Sequence, residues 1–232
     1  MDKLIIIPSR RGSTRYHNKP MADINGKTLV RRVWECATST GIPAIVCTES
    51  EEIKSHVEDF GGMCYMTSDK HECGTDRVRE AFQIYCNKNK CPDIIINVQG
   101  DLPYISAEDI LASIEPIQQG FDIGTLIYNM TKENMSNPNT VKTIATLCGN
   151  IFRCHWFLRA SVSYGYHHAG VYSFTPNSLG KIFPISKLES LERLEQLRFI
   201  ENGMTIGAAK INKIIKEVNT PEDVDSLIGE PK

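Results

Sequence analysis

A short, unbroken apolar run, Leu4–Pro8, closes on proline and reads as a buried first strand. A polar stretch over 9–20, rich in arginine and lysine, follows it. Over Lys27–Gly41 the apolar residues Leu29, Val33, Trp34 and Ala37 fall at helical spacing and a glycine ends them, which predicts a helix. Ala44–Cys47 is strand-like, Glu51–Phe60 reads as a helix closed by Gly61 and Gly62, and Met63–Met66 reads as a short strand. Thr75–Asn87 is helical, and Asp93–Val98 is a strand with an all-isoleucine centre at Ile94, Ile95 and Ile96. Ser106 is a good N-cap for a helix over 107–119, with Asp109 three residues on where a capping box usually has Glu or Gln.

The pattern is less regular further on. Phe121–Tyr128, Val141–Ala145 and Ala169–Phe174 read as strands, and 148–166 as loop-rich. Leu188, Leu191, Leu194 and Leu197 recur every third residue, which predicts a helix over Leu188–Glu201 with one buried stripe. Thr220, Pro221, Glu222 and Asp223 mark a helix start, with a threonine cap and proline in the first turn.

Strands alternating with helices over the first half predict an α/β fold, with a mostly parallel central sheet and helices on both faces. Ligands of such sheets sit beyond the carboxyl ends of the strands. The candidate ligand loops are therefore 9–20, 67–75 and 99–104.

Composition narrows the function classes. The chain has 232 residues, 41% of them hydrophobic, enough to bury a normal globular core. A formal net charge of −2 argues against bulk nucleic-acid binding, which needs a basic surface. No apolar stretch is long enough to span a bilayer, and the opening run is too short for a secretory signal, so a cytoplasmic protein is expected. The 8 cysteines form no C-x-x-C pair and are expected as reduced thiols, several of them buried. Cys148, Cys154 and His155 fit no standard zinc spacing.

The chemistry concentrates in the predicted ligand loops. Ser9-Arg10-Arg11-Gly12-Ser13-Thr14-Arg15, followed by Lys19-Pro20, places Arg10, Arg15 and Lys19 in one loop after the first strand. Arginine forks suit phosphate oxygens, and Gly12 lets a backbone N–H turn toward an anion. Against this stands the ordinary reading of a solvated basic loop. It is not a Walker loop: Gly26-Lys27-Thr28 resembles that motif's tail, but Met21 stands where the first glycine belongs. A Gly-x-Gly-x-x-Gly stretch is missing too, which disfavours a nicotinamide dehydrogenase.

In Asn97-Val98-Gln99-Gly100-Asp101-Leu102-Pro103, an apolar strand delivers a carboxylate to a turn. That suits Mg²⁺, which takes one or two carboxylates together with substrate phosphates. The plainer alternative is a turn aspartate bonded to its own backbone. In His71-Glu72-Cys73-Gly74-Thr75-Asp76-Arg77 a helix opens toward the same sheet edge, either as a ligand contact or as simple capping by Thr75. Glu195-Gln196-Leu197-Arg198 falls beside the leucine stripe, where a charged surface face is the simpler reading.

Taken together, these segments resemble the 3-deoxy-manno-octulosonate cytidylyltransferase (CMP-KDO synthetase) family, which activates the acidic sugar of the lipopolysaccharide inner core. The resemblance runs nearly end to end, through IIIPSRRGSTRYHNKPMADINGKTLV, MTSDKHECGTDRV, IINVQGDLPYI, NPNTVKTI, HHAGVYSF, LESLERLEQLRFIENG and VNTPEDV. It implies a Rossmann-like nucleotidyltransferase of one domain. About 1–130 would form the nucleotide-binding core, about 131–215 a smaller sub-lobe for sugar binding and dimerisation, and 216–232 a helix returning to the core. It further implies that Arg10, Arg15 and Lys19 hold the triphosphate of CTP, with Arg10, Lys19 and Asp101 catalytic and Gly74 and Thr75 beside the nucleotide. Asp101 and the residue at position 219 would bind Mg²⁺, and Arg77, Gln99, His168, Tyr172, Glu195 and Gln196 would line an acidic-sugar pocket. The family is usually homodimeric.

The sequence departs from the family pattern in several places. Asn219 stands where an aspartate is usual, Leu102 replaces a glutamate, and Tyr16-His17-Asn18 replaces Leu-Pro-Gly. His167 replaces an arginine, and the segment between Arg159 and His167 is shorter than usual. Two alternatives to an ordinary octulosonate enzyme therefore stay open: a different acidic sugar, or a catalytically weak nucleotide-binding homologue.

Overall fold

The computed structural model describes residues 1–12, 16–71, 73–181 and 183–228. It divides into two compact units, Met1–Ile110 with Ile215–Lys232, and Leu111–Ile214.

In the first unit the strands are β1 (Lys3–Pro8), β2 (Asp23–Ile24), β3 (Lys27–Thr28), β4 (Ala44–Thr48), β5 (Met63–Met66) and β6 (Ile94–Val98). Its helices are α1 (Leu29–Thr38), α2 (Glu51–Asp59), α3 (Gly74–Cys86) and α4 (Ala107–Ala112). Four strands lie in the order β5-β4-β1-β6, every pair parallel, with Ile5 opposite both Ala44 and Ile96. Leu4 to Ile7 and Ile95, Ile96 and Val98 are fully buried. That explains the apolar runs: a parallel strand covered on both faces has no polar side to alternate with. Helices α1, α2 and α3 pack on these strands.

Some boundaries move. The helix expected from Lys27 begins at Leu29, because Asn25 and Gly26 both have positive φ (51° and 78°) and turn β2 tightly into β3. Such a two-residue turn favours Asn-Gly, which accounts for the Walker-like Gly26-Lys27-Thr28 as a hairpin. The Ser106 cap forms as expected: Asp109 N donates to Ser106 Oγ, and Asp109 Oδ2 accepts from Ser106 N. The helix after it stops at Ala112, and Pro116 opens a separate short helix, α5 (Glu115–Gln118). Proline lacks the N–H that would continue the ladder and crowds the carbonyl four residues back. Cys86 is joined to Cys91 by a disulfide, contrary to the expectation of reduced thiols throughout. The turn after α3 brings their Cα atoms to 4.9 Å, within bridging range. Cys47, Cys64 and Cys154 are buried free thiols.

In the second unit, α5 is followed by β7 (Ile123–Asn129), α6 (Lys132–Ser136), β8 (Lys142–Cys148), β9 (Ile151–Leu158) and β10 (Tyr166–Phe174). Then come α7 (Pro176–Gly180), α8 (Lys187–Glu192), α9 (Glu195–Glu201) and β11 (Ile206–Lys210). The strand order is β10-β7-β11-β9-β8, with β7 and β11 parallel and the remaining pairs antiparallel. The stretch 148–166, expected as loop, holds β9, which forms a hairpin with β8 around Gly149 (φ 67°). Arg153 and His155 are exposed while Cys154 between them is buried, the alternation of a strand with one covered face.

The helix expected over Leu188–Glu201 is two. Arg193 adopts a left-handed conformation (φ 56°) between α8 and α9. Leu194 and Leu197 are buried, but Leu191 is 69% exposed, so the leucine stripe is broken with the helix. The last helix, α10 (Pro221–Leu227), belongs to the first unit and starts at the expected threonine cap, which is completed as a box: Thr220 caps it and Asp223 reaches back to the Thr220 N–H.

Candidate active site

Three segments distant in sequence meet at the carboxyl end of β6. The turn Gln99-Gly100-Asp101 leaves the strand against the end of β1, because Gly100 has no side chain. A Cβ there would come within 2.9 Å of the Pro8 carbonyl oxygen. Lys19 opens a short 3-10 turn (Lys19–Met21) after Asn18, which is left-handed at φ 54°. Lys19 Nζ donates to Asp101 Oδ2 at 3.3 Å and to the Val218 carbonyl at 2.9 Å. Val218 N in turn donates to the Asp101 carbonyl at 2.9 Å. The lysine and the carboxylate are only part-buried, with side chains 16% and 26% exposed, so both remain presented at the strand end. Asn219 follows Val218 directly. Its backbone N–H is held by Asp223 Oδ2 at 2.7 Å, so the α10 cap also fixes this residue.

The start of α3 borders the same turn. A Cβ on Gly74 would lie 2.7 Å from Gln99 Nε2, so the glycine gives the Gln99 side chain its room. Gln99 Nε2 donates to Asn97 Oδ1 and Asn97 Nδ2 to Thr75 Oγ1, each at 3.3 Å. Thr75 is 1% exposed, and the cap of α3 is Cys73, whose sulfur accepts from Asp76 N. Capping by Thr75 is therefore not what the structure shows.

Arg77 is buried. Its Nη2 pairs with Glu49 Oε2 at 2.9 Å and its Nη1 donates to Thr67 Oγ1 at 2.6 Å. Arg10 is exposed. Arg15 lies outside the described residues. Lys19, Asp101 and Asn219 are thus brought to one place, with Gly74, Thr75 and Gln99 linked to one another in the same unit.

The remaining expected sugar residues lie in the second unit. His168 Nε2 and Thr125 Oγ1 are 2.9 Å apart, and His168 Nδ1 lies 3.4 Å from Gln196 Nε2. Gln196 Nε2 also donates to Tyr172 Oη at 2.5 Å. An amide N–H aimed at Nδ1 puts the imidazole proton on Nε2, facing Thr125, whose hydroxyl donates a hydrogen bond to the Val171 carbonyl at 2.7 Å. Burial, and then neighbouring His167, push the His168 pKa down to about 3. Burial and then Lys142 push that of His167 down to about 4. Both rings are neutral hydrogen-bonding groups near neutral pH. Glu195 is half-buried, whereas Gln196 and Arg198 are buried rather than on an open polar face. Arg198 grips Glu189 through two 2.6 Å bonds and so ties α9 to α8.

Glu49 is the residue that the sequence reading passes over. It sits immediately after β4, at the same sheet edge as the three loops singled out. The topological rule that selected those loops applies equally to it.

Among the described residues, no three Asp, Glu, His or Cys side chains converge as a metal cage. A single carboxylate, Asp101, is chemically compatible with Mg²⁺ arriving with a polyphosphate, since that ion keeps most of its ligands from water and phosphate, while the Asn219 side-chain amide donates to Glu217 Oε2 at 3.5 Å.

A family model described as Cytidylyltransferase matches residues 4–206. The chain is 36% identical to the 3-deoxy-manno-octulosonate cytidylyltransferase of Methylobacterium nodulans, over 97% of this chain and 94% of the relative. It is 38% identical to that of Bartonella quintana, over 97% and 96%. A solved CMP:2-keto-3-deoxy-manno-octonic acid synthetase complexed with CTP superposes with a TM-score of 0.86 at 29% identity, covering 98% of this chain and 97% of the other. The 4-diphosphocytidyl-2C-methyl-D-erythritol synthase of Anaerococcus prevotii shares the fold, with a TM-score of 0.59 at 12% identity over 97% and 96%. With its motifs, its fold and its full-length relatives in agreement, the chain belongs to the cytidylyltransferase family, among the 3-deoxy-manno-octulosonate cytidylyltransferases.

Proposed function

We propose that this enzyme transfers CMP from CTP to 3-deoxy-manno-octulosonate or a close 2-keto-3-deoxy acid and releases pyrophosphate. The observation that carries the reading is the meeting of Lys19, Asp101 and the Val218-Asn219 segment at the carboxyl end of β6. The sugar's anomeric hydroxyl attacks the α-phosphorus in line. One P–O bond forms as the hydroxyl gives up its proton to water, the bond to the bridging oxygen breaks, and pyrophosphate leaves. The protein contributes position and charge rather than a covalent intermediate.

Arg10, Arg15 and Lys19 bind the triphosphate, and Lys19 offsets the charge that develops on the leaving pyrophosphate. Ser9 Oγ supports a polar ligand at this strand end, since it is buried with no hydrogen-bond partner among the described residues. Gly74 and Thr75 border the nucleotide. Asp101 and Asn219 hold Mg²⁺, which when bound neutralises phosphate charge. Asn219 brings an oxygen but no charge, so the ion is held more weakly than by two carboxylates.

Gln99, His168, Tyr172, Glu195 and Gln196 recognise the sugar, whereas Arg77, expected beside them, is buried against Glu49 and Thr67. Gln196 Oε1 supports this assignment: it is buried with no donor among the described residues, which suits a sugar hydroxyl. The enzyme acts in the cytoplasm as a homodimer.

The test is pyrophosphate release from CTP and Mg²⁺ across a panel of acidic sugars, with the same preparation weighed by light scattering. Turnover is expected with 3-deoxy-manno-octulosonate. Turnover only with another acid would reassign the acceptor, and CTP binding without turnover on any would leave the weak nucleotide-binding reading. A single-chain mass would remove the dimer.

A further inference from the structure

We infer that Glu49 is a positioning residue for the triphosphate loop, and that Arg77 acts mainly through it. This rests on the proposed role of that loop in binding CTP. Glu49 follows β4 with its side chain 18% exposed, one carboxylate oxygen in a hydrogen bond and the other, with no hydrogen bond among the described residues, in an ion pair. Oε1 accepts the backbone N–H of Arg11 at 2.7 Å, and Oε2 forms an ion pair with Arg77 Nη2 at 2.9 Å. Arg77 is anchored independently to Thr67 and sits in α3, so its side chain, 4% exposed, is a fixed post.

The loop that Glu49 holds is closed at its base, where Asn18 N donates to the Arg11 carbonyl at 3.1 Å. Glu52, in the first turn of α2, adds a looser grip on both arms: Asn18 Nδ2 at 3.3 Å and Arg11 Nε at 3.8 Å. Lys19 follows Asn18 directly. The bond from Glu49 to Arg11 therefore fixes the entry of the loop, whose exit delivers Lys19 to Asp101.

The electrostatic logic explains the choice of partners. Arg10, Arg11 and Lys19 put three cations in one loop, and a carboxylate at the loop base offsets part of that charge. A bare carboxylate would also repel the triphosphate. Pairing with Arg77 neutralises it, so that Glu49 holds the backbone without opposing the ligand. A purely structural ion pair, or an Arg77 that serves the sugar directly, has no such link to CTP.

The experiment measures CTP affinity calorimetrically and the KM of each substrate for wild type, Glu49→Gln, Arg77→Met and the double variant, with circular dichroism on each. Glu49→Gln is expected to weaken CTP about tenfold and to leave the sugar KM within about twofold, as for one charge-assisted bond. Arg77→Met exposes an unpaired carboxylate at the loop base and weakens CTP further. Adding Glu49→Gln to it recovers part of that loss, a rescue that a merely structural role does not produce. Unchanged CTP affinity in a folded Glu49→Gln, equal rises in both KM values, or a double variant no better than Arg77→Met overturns the inference. Should Glu49→Gln not fold, the comparison of Arg77→Met with the double variant decides. A wild type that binds no CTP removes the functional reading itself, a different outcome from equal binding by wild type and variant.

Discussion

At the scale of single residues, the site depends on charge placed where it is only partly screened. Asp101 is joined to Lys19 by one 3.3 Å bond and held by its backbone to Val218, so its side chain carries little of the local packing. Asp101→Asn keeps the shape and removes the charge. Turnover is expected to fall by a factor on the order of 100 or more, with thermal unfolding shifted by only a few degrees. Wild-type rates would take Asp101 out of the mechanism. The type of residue here was legible from the strand and turn that deliver it. That Lys19 shares its site was expected from the resemblance, but the Val218 backbone that bridges the two was not, because it approaches from far along the chain. Glu49 shows the same limit more sharply: neither the backbone of Arg11 nor the guanidinium of Arg77 is suggested by its own neighbours in sequence.

At the scale of elements, local signals succeeded where a few adjacent residues decide the outcome. The caps at Ser106 and Thr220 are such cases, since each satisfies N–H groups within the same turn. Periodicity failed where conformation was set by one residue inside a regular pattern. The leucine repeat predicts a single helix, yet Arg193 turns left-handed and splits it into α8 and α9. That conformation costs an L-residue roughly 1 kcal/mol and glycine nothing comparable. Arg193 is exposed, so Arg193→Gly is expected to raise stability by up to about 1 kcal/mol, read as a higher urea midpoint at unchanged slope. A lowered midpoint would mean that the arginine side chain supports the break in some other way. Strand β9 was missed for a related reason, although its partner β8 was expected over Val141–Ala145: Arg153 and His155 break its apolar run until a partner strand gives the alternation two faces.

At the scale of the whole molecule, the buried histidines tie folding to pH. His167 and His168 titrate near 4 and 3 in the folded chain, against an ordinary value of 6.5. Below about pH 6.5 the unfolded chain therefore takes up protons that the folded chain refuses. The stability associated with their neutral forms is complete above that pH and is lost as pH falls toward 4 and then 3. Denaturant titrations between pH 7 and 5 should show stability falling with acid, with a slope approaching two protons taken up on unfolding near pH 5. A flat profile over that range would mean that the rings titrate normally in the folded state.

The apolar runs of β1 and β6, the caps and the loop chemistry could be read directly from residue order, because burial on both faces and hydrogen bonding within a turn are local demands. Together with the ordered motifs they were enough to point to the family. Tertiary structure alone decided that Val218 bridges Lys19 and Asp101, that Arg77 faces Glu49, and that Gln196 sets the tautomer of His168. Each of these is a contact across a long stretch of chain, and electrostatics and hydrogen bonding act through distance in space, which sequence order does not encode.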